Sequence, residues 1–372
     1  ENSDDEHILR QLALIGRADI TTIHSFCMKV VRENYTKLDI DPDFRVADEN
    51  ECALIKNAVL DELFERMYAG EDNSDFLDLV EIFGRGMTDG GLKEAVLGIH
   101  SFIQSMPFPE KFLIDSAQMY DFDIDSPFEE TVWGKYIKER CRLELNEYIK
   151  CTDRELRLAL DGGPESYARA VSNDLEQLSF LLGELDNGLE RFSECIASFK
   201  FVNIGRAGKN DDKSKAEVIK SLREIVKKGV SALKENFFFA GIQAEKRDVH
   251  KTGRIIKAVS QAVMDFNSGY SSAKREKNIA DFNDLEHFAL RILIDKDSGD
   301  GFCASPEAMQ LQKKYYEVMT DEYQDSNPVQ EMILSAVSGH GDNRGNRFMV
   351  GDIKQSIYRF RQAEPGLFLE KY

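Results

Sequence analysis

The sequence predicts an α/β chain in which helix predominates. Three features carry that expectation: helical periodicity of apolar residues through almost all of the middle, only eight prolines in 372 residues, and a strand, helix and strand in succession near the C-terminal end. Acidic residues stand at the end of both of those strands, as in a parallel sheet whose ligands bind beyond the carboxyl ends of the strands.

Taken in order, residues 20–23 form a short β-branched run that reads as a strand, and 24–35 read as the helix after it. Leu175, Leu178, Leu182, Leu185, Leu189 and Phe192 recur at spacings of three and four, which places them on one stripe of a single helix. Val218, Leu222, Ile225, Val226 and Leu233 form a second stripe with lysines opposite. Pro107, Pro109 and Pro127 mark one connecting loop, and residues 205–213 a polar, basic break. Residues 315–320 read as a strand ending at Asp321-Glu322, and Asn327-Pro328 starts a helix through Ala336 with proline in its first turn. Residues 347–350 read as the second strand, ending at Gly351-Asp352.

Composition narrows the functional classes. No apolar run approaches the roughly 20 residues that span a bilayer, so no membrane partner is expected. Six cysteines are scattered without Cys-x-x-Cys spacing, and the six histidines do not cluster with them, so no nitrogen-and-sulfur metal site is expected and a reduced, cytoplasmic setting is. The net charge of −19 is unevenly spread: residues 39–81 hold fourteen acids and three bases, residues 200–257 fifteen bases and seven acids. Affinity for DNA depends on where positive charge sits, so the acidic total does not exclude it. Both ends read as cut: the start (Glu1-Asn2-Ser3-Asp4-Asp5-Glu6) has neither Met nor a leader pattern, and the other end stops inside an apolar pattern.

The clearest chemistry lies in Asp321-Glu322-Tyr323-Gln324-Asp325. Two adjacent carboxylates at a strand end divide the work of nucleotide hydrolysis, with Asp321 holding Mg²⁺ and Glu322 orienting and deprotonating water. Taken alone, the dipeptide reads better as a solvated strand end, and it is the segment after the second strand that favours the catalytic reading. In Gly351-Asp352-Ile353-Lys354-Gln355-Ser356-Ile357-Tyr358-Arg359-Phe360-Arg361, Gln355 suits sensing of a γ-phosphate. Tyr358 and Phe360 offer flat faces to unpaired bases, and Arg359 and Arg361 suit phosphates; a surface helix with core aromatics is the alternative. Asn283 and Glu286 have the spacing of a helix capping box ahead of an apolar run.

Together DEYQDSNPVQ and VGDIKQSIYRFRQAEP, about 30 residues apart, resemble motifs II and III of the UvrD/Rep-type superfamily 1 helicases, with wording close to the AddA (RexA) family of ATP-dependent helicase/nucleases. Thr22-Ile23-His24-Ser25-Phe26 resembles the family's Thr-x-His-Ser-Phe motif on the DNA track, and residues 41–49 are also AddA-like. The resemblance implies that Thr22 and His24 touch the backbone of the DNA strand and that Phe26 supports their loop. Asp281-Phe282-Asn283-Asp284-Leu285 is similar to the family's Asp-Phe-x-Asp-Leu segment, with Asn283 in place of the usual Asp.

The resemblance implies a partial RecA-like (P-loop NTPase) domain 1A from residues 1–35 and 305–372, interrupted by a large helical insertion, 1B, over 36–304. It implies ATP and Mg²⁺ as cofactors of the intact protein and 3′-to-5′ unwinding during double-strand break repair and recombination. The implied partners are single- and double-stranded DNA and the AddB (RexB) chain of a heterodimer. A nuclease domain would lie outside the chain. No Gly-x-x-x-x-Gly-Lys-Ser/Thr occurs in the sequence, and that loop cradles phosphates, so the isolated chain is expected to bind no cofactor and hydrolyse no ATP. For the chain alone a non-catalytic DNA- or partner-binding module is the rival reading; for the parent, a UvrD-like helicase without a nuclease is another. Lys209, Lys213, Lys227 and Lys228 are the candidate surface for DNA or a partner, with a solvated charged face as the alternative.

Overall fold

A computed structural model describes residues 6–16, 18–38, 40–84, 88–209, 211–295, 303–339, 345–355, 364–369 and 371. In chain order the elements are α1 (Glu6–Ile15), α2 (Ile23–Glu33), β1 (Arg45–Val46), α3 (Glu49–Ala69), α4 (Ser74–Phe83), α5 (Gly90–Ile103), α6 (Pro109–Gln118), α7 (Val132–Leu160), α8 (Glu165–Glu184) and α9 (Leu189–Ser198). They continue with α10 (Lys213–Phe237), α11 (Ile242–Glu276), β2 (Ile279–Ala280), α12 (Phe282–Leu293), α13 (Pro306–Lys314), β3 (Val318–Thr320), α14 (Pro328–Val337), β4 (Arg347–Met349) and α15 (Pro365–Leu369). Helix predominates, as expected, and among the described residues no helix is long and apolar enough to cross a membrane.

By packing, the chain divides into two compact units, Glu1–Ile114 with Ala258–Tyr372, and Asp115–Lys257. Residues 36–114 and 258–304 therefore pack with the chain ends, and this division falls inside the segment 36–304 expected for the insertion.

In the first unit, α12 is the central helix. Leu285, Ala289, Ile292 and Leu293 recur at helical spacing and are buried against Cys27, Val30 and Val31 of α2 and Val329, Ile333 and Ala336 of α14. Each fully buried aliphatic side chain contributes roughly 1.5–3 kcal/mol, so this layer holds the unit together. The strand expected at 20–23 is absent. Ile20 is 84% exposed, and the Thr22 hydroxyl accepts from Ser25 N at 3.4 Å as the N-cap of α2, so a capping side chain overrides β-branched propensity. The capping box of α12 is formed by Asp281 and Asp284, not by Asn283 and Glu286. Asp281 N donates to Asp284 Oδ2 at 2.8 Å and Asp284 N to Asp281 Oδ1 at 2.9 Å. Lys274 Nζ lies 2.9 Å from Asp281 and 2.6 Å from Asp284, and Tyr270 OH donates to Asp281 at 3.0 Å. Burial works against both carboxylates. Lys274 outweighs it at Asp281, which is held below the usual range, whereas burial and the neighbouring Asp281 push Asp284 up to about 6.

The strand–helix–strand reading near the C-terminal end holds. β3 and β4 are parallel, with Val318 opposite Arg347, Met319 opposite Phe348 and Thr320 opposite Met349. β3 is shorter than the run 315–320. A second parallel pair, β1 with β2, sets Arg45 opposite Ile279 and Val46 opposite Ala280; two residues per strand leave no alternation to read in the sequence.

The second unit packs α7 against α8 and α10. The stripe from Leu175 to Phe192 spans two helices rather than one. Gly188, at φ 109°, breaks the chain between α8 and α9, while Leu178, Leu185, Leu189 and Phe192 remain buried in one core. On α10 the buried line is Ala216, Ile219, Arg223, Val226, Val230 and Leu233; Val218 and Ile225 of the expected stripe are 42% and 61% exposed. Arg223 sets that rotation. Its guanidinium donates to Asp174 Oδ2 at 2.7 Å and also bonds the Val202 carbonyl, and Phe201 lies over it. The prolines expected in one loop are separated by α6, which starts at Pro109.

Candidate functional site

The site is built at the end of β3. After Thr320 the chain turns through Asp321 and Glu322, and Glu322 adopts φ 51°, ψ 41°, a left-handed conformation costing a side chain roughly 1–2 kcal/mol. A 3₁₀ turn, Tyr323–Asp325, leads to Asn327, whose Oδ1 accepts from Gln330 N at 2.8 Å and caps α14. Asp321 and Glu322 are thereby exposed at the carboxyl end of a parallel strand, where ligands of such sheets bind.

Both carboxylates line a cleft of about 420 Å³, together with Thr320, Asp325 and Ser326. Asp19, Thr21, Thr22 and Phe26 also line it. Asp19 ties that segment to the end of α13: its carboxylate accepts from Lys29, Lys314 and Tyr315, each at 2.8 Å, and these bonds hold it well below the usual carboxylate range. Among the described residues, Thr320 Oγ1 and Asp325 Oδ1 are buried without a hydrogen-bond partner.

Of the predicted residues, the structure brings Asp321, Glu322, Thr22 and Phe26 to this cleft. Phe26 packs on Tyr315, ring centroids 6.4 Å apart, which braces the loop bearing Thr22. His24 instead meets α12. Its Nε2 lies 3.1 Å from the buried Glu286 carboxylate and its ring 4.9 Å from that of Phe282. Gln355 reaches the cleft only through a chain of hydrogen bonds. It donates to Asp352 Oδ2 at 3.0 Å, Asp352 N donates to Gln324 Oε1 at 3.0 Å, and Gln324 Nε2 donates to Glu322 at 2.6 Å. Tyr358, Phe360 and Arg361 lie outside the described residues.

Lys209, Lys213 and Lys228 are exposed, while Lys227 pairs with Glu224 at 3.2 Å. Several other bases of residues 200–257 are engaged internally: Arg223 with Asp174, Lys215 with Asp161, and Lys246 with the Ser126 carbonyl. The local excess of positive charge in the sequence is therefore larger than the free positive surface. A separate cleft of about 580 Å³, lined by Lys274, Arg275, Arg291, Asp41 and Asp284, holds none of the predicted catalytic residues.

Residues 5–372 match the UvrD/REP helicase N-terminal domain. The chain belongs to that family. It is similar over its whole length to the A subunits of ATP-dependent helicase/nucleases. The one from Clostridium beijerinckii is 40% identical over 374 residues, 100% of this chain and 30% of that protein. That from Ruminiclostridium cellulolyticum is 39% identical over 378 residues and that from Clostridioides difficile 36% over 380, again 100% of this chain and 30% of each protein. The chain thus spans about 30% of the length of the curated relatives it matches. Two residues of this UvrD/REP chain escape sequence reasoning. Asp19 carries no motif, and Gln324, 1% exposed, looks like any amide in a polar run until its partners 28 residues on are seen.

Proposed function

We propose that this chain supplies the hydrolytic half-site of an ATP-dependent 3′-to-5′ DNA helicase that acts, with a nuclease domain and an AddB-type partner, in double-strand break repair in the bacterial cytoplasm. The observation that carries the reading is the cleft in which Asp321 and Glu322 stand at the end of β3, linked through Gln324 to the segment that follows β4. Residues 1–35 and 305–372 would form a RecA-like domain 1A and 36–304 the inserted 1B.

The residues fit a hard cation and a nucleotide. Asp321, Glu322, Asp325 and Thr320 present oxygen donors only, two of which are buried and unpartnered among the described residues. No cluster of three or more metal-ligating side chains occurs among the described residues, and Mg²⁺ needs none, since it takes one or two carboxylates with phosphate oxygens and water. Bound there through Asp321, Mg²⁺ supplies neutralisation of phosphate charge. Glu322 holds and deprotonates the attacking water, and Gln355 reports the state of the γ-phosphate to it through Asp352 and Gln324. Thr22 and His24 touch the backbone of the single strand on a loop that Phe26 supports, and Tyr358, Phe360 and Arg361 extend the track. Lys209, Lys213 and Lys228 offer a surface to duplex DNA or a partner.

For the 372 residues alone we propose DNA or partner binding without ATP turnover, because no phosphate-cradling Gly-Lys loop is in the sequence. The test compares the full-length protein with this chain for DNA-stimulated ATP hydrolysis and unwinding of a 3′-tailed duplex. Hydrolysis and unwinding by the full-length protein only are expected. A full-length protein that unwinds nothing, or an isolated chain that hydrolyses ATP, contradicts the reading.

A further inference from the structure

We propose that Gln324 is a positioning residue for ATP hydrolysis, holding the Glu322 carboxylate in register with the segment after β4; this rests on the role given to Glu322 above. Glu322 is exposed and sits in a left-handed backbone conformation, so neither packing nor a relaxed backbone fixes its side chain. Its one anchor among the described side chains is the amide of Gln324, which donates to Glu322 Oε2 at 2.6 Å. Gln324 itself is 1% exposed, and its other end is taken: Oε1 accepts from Asp352 N at 3.0 Å. A buried amide with both ends engaged has one orientation, so the Glu322 carboxylate inherits a fixed direction.

A second observation comes from the other partner. A Cβ on Gly351 would run into Gln324 Oε1 and would stand 3.2 Å from Gln324 N and 3.3 Å from Tyr323 N. Gly351 therefore lets the backbone after β4 close onto Gln324. Asp352 also accepts from Gln355 Nε2 and Lys354 N, each at 3.0 Å, so movement of Gln355 reaches Glu322 through a single buried side chain. An amide suits this place because it donates to a carboxylate and accepts from a backbone N–H at once.

The test is steady-state ATP turnover by the full-length protein with DNA, as a function of ATP and pH. Gln324→Glu keeps the acceptor for Asp352 N but sets a second carboxylate against Glu322. We expect kcat to fall about tenfold or more near pH 8, with KM for ATP changed less than about twofold, and the ratio to wild type to recover towards pH 6 as the new carboxyl regains a proton to donate. Gly351→Ala should lower kcat at every pH, and Gln324→Ala with Gly351→Ala should be no worse than Gln324→Ala alone. A Gln324→Glu profile that tracks wild type at every pH, or additive effects at the two positions, overturns the proposal. Glu322→Gln in the same series separates the two ideas. Its turnover at the wild-type rate would remove the underlying reading, whereas its loss beside an unaffected Gln324→Glu removes only this inference.

Discussion

The Arg347 guanidinium donates to both oxygens of Glu331, at 2.8 and 2.7 Å, and so joins β4 to α14. Both side chains are 13% exposed, and Tyr323, Ser335 and Lys371 complete the carboxylate's partners. This pair places the two strands that carry the site at a fixed distance from the helix beneath them.

Arg347→Met is expected to lower the stability of the chain by about 3 kcal/mol, since it strands a buried carboxylate. Burial pushes Glu331 up, but its bonds to Arg347, Tyr323 and Lys371 win and bring it from 4.5 down to about 2. A depressed carboxylate stabilises above its unfolded value, so this contribution is full above about pH 4.5 and lost as pH falls towards 2. Urea unfolding across that window, with and without Arg347, reads both effects; an Arg347→Met protein as stable as wild type at pH 7 would show the pair to be ornamental.

In the second unit, Glu155 is 1% exposed near Asp174 and Arg223, with Cys151 Sγ 3.9 Å away. Burial first, and Asp174 next among the groups that raise it, push Glu155 from 4.5 to about 7 in spite of Arg223. The folded state then keeps a proton that the unfolded chain releases, so stability falls as pH rises from about 4.5 to about 7 and is level above. Glu155→Gln should remove that slope and raise stability at pH 8 by up to about 3 kcal/mol. Equal pH slopes for the two proteins would contradict this.

How much of the fold is legible in the sequence depends on how local each cause is. The path from β3 through Asn327 and Pro328 to α14 is readable, because the cap and the first-turn proline lie beside the helix they start. Residues 20–23 imitate a strand because branching at Cβ is visible in a sequence and a capping bond is not. The run 175–192 imitates one continuous helix since Gly188 interrupts the backbone without disturbing the apolar spacing. Val218 and Ile225 look inward-facing as long as Arg223 is counted as a surface base; its partner Asp174 is 49 residues away. Within the site, Asp321 and Glu322 are legible from their strand, whereas Gln324 and Asp19 act through partners distant in the sequence.

Changing Lys209, Lys213, Lys227 and Lys228 to Glu is expected to weaken duplex binding by the chain. The slope of log K against log salt should shrink by about three rather than four, at roughly 0.9 per contact, because Lys227 is already paired with Glu224. An unchanged slope would assign these lysines to solvent alone.

In the proposed function Glu322 activates water for ATP hydrolysis. Single-turnover hydrolysis of ATP by the full-length protein on single-stranded DNA, wild type against Glu322→Gln, tests it most directly. With Gln at this position nucleotide binding is expected to survive while the hydrolysis step slows by a factor of about 10² or more. Hydrolysis at the wild-type rate with Gln at this position would contradict it.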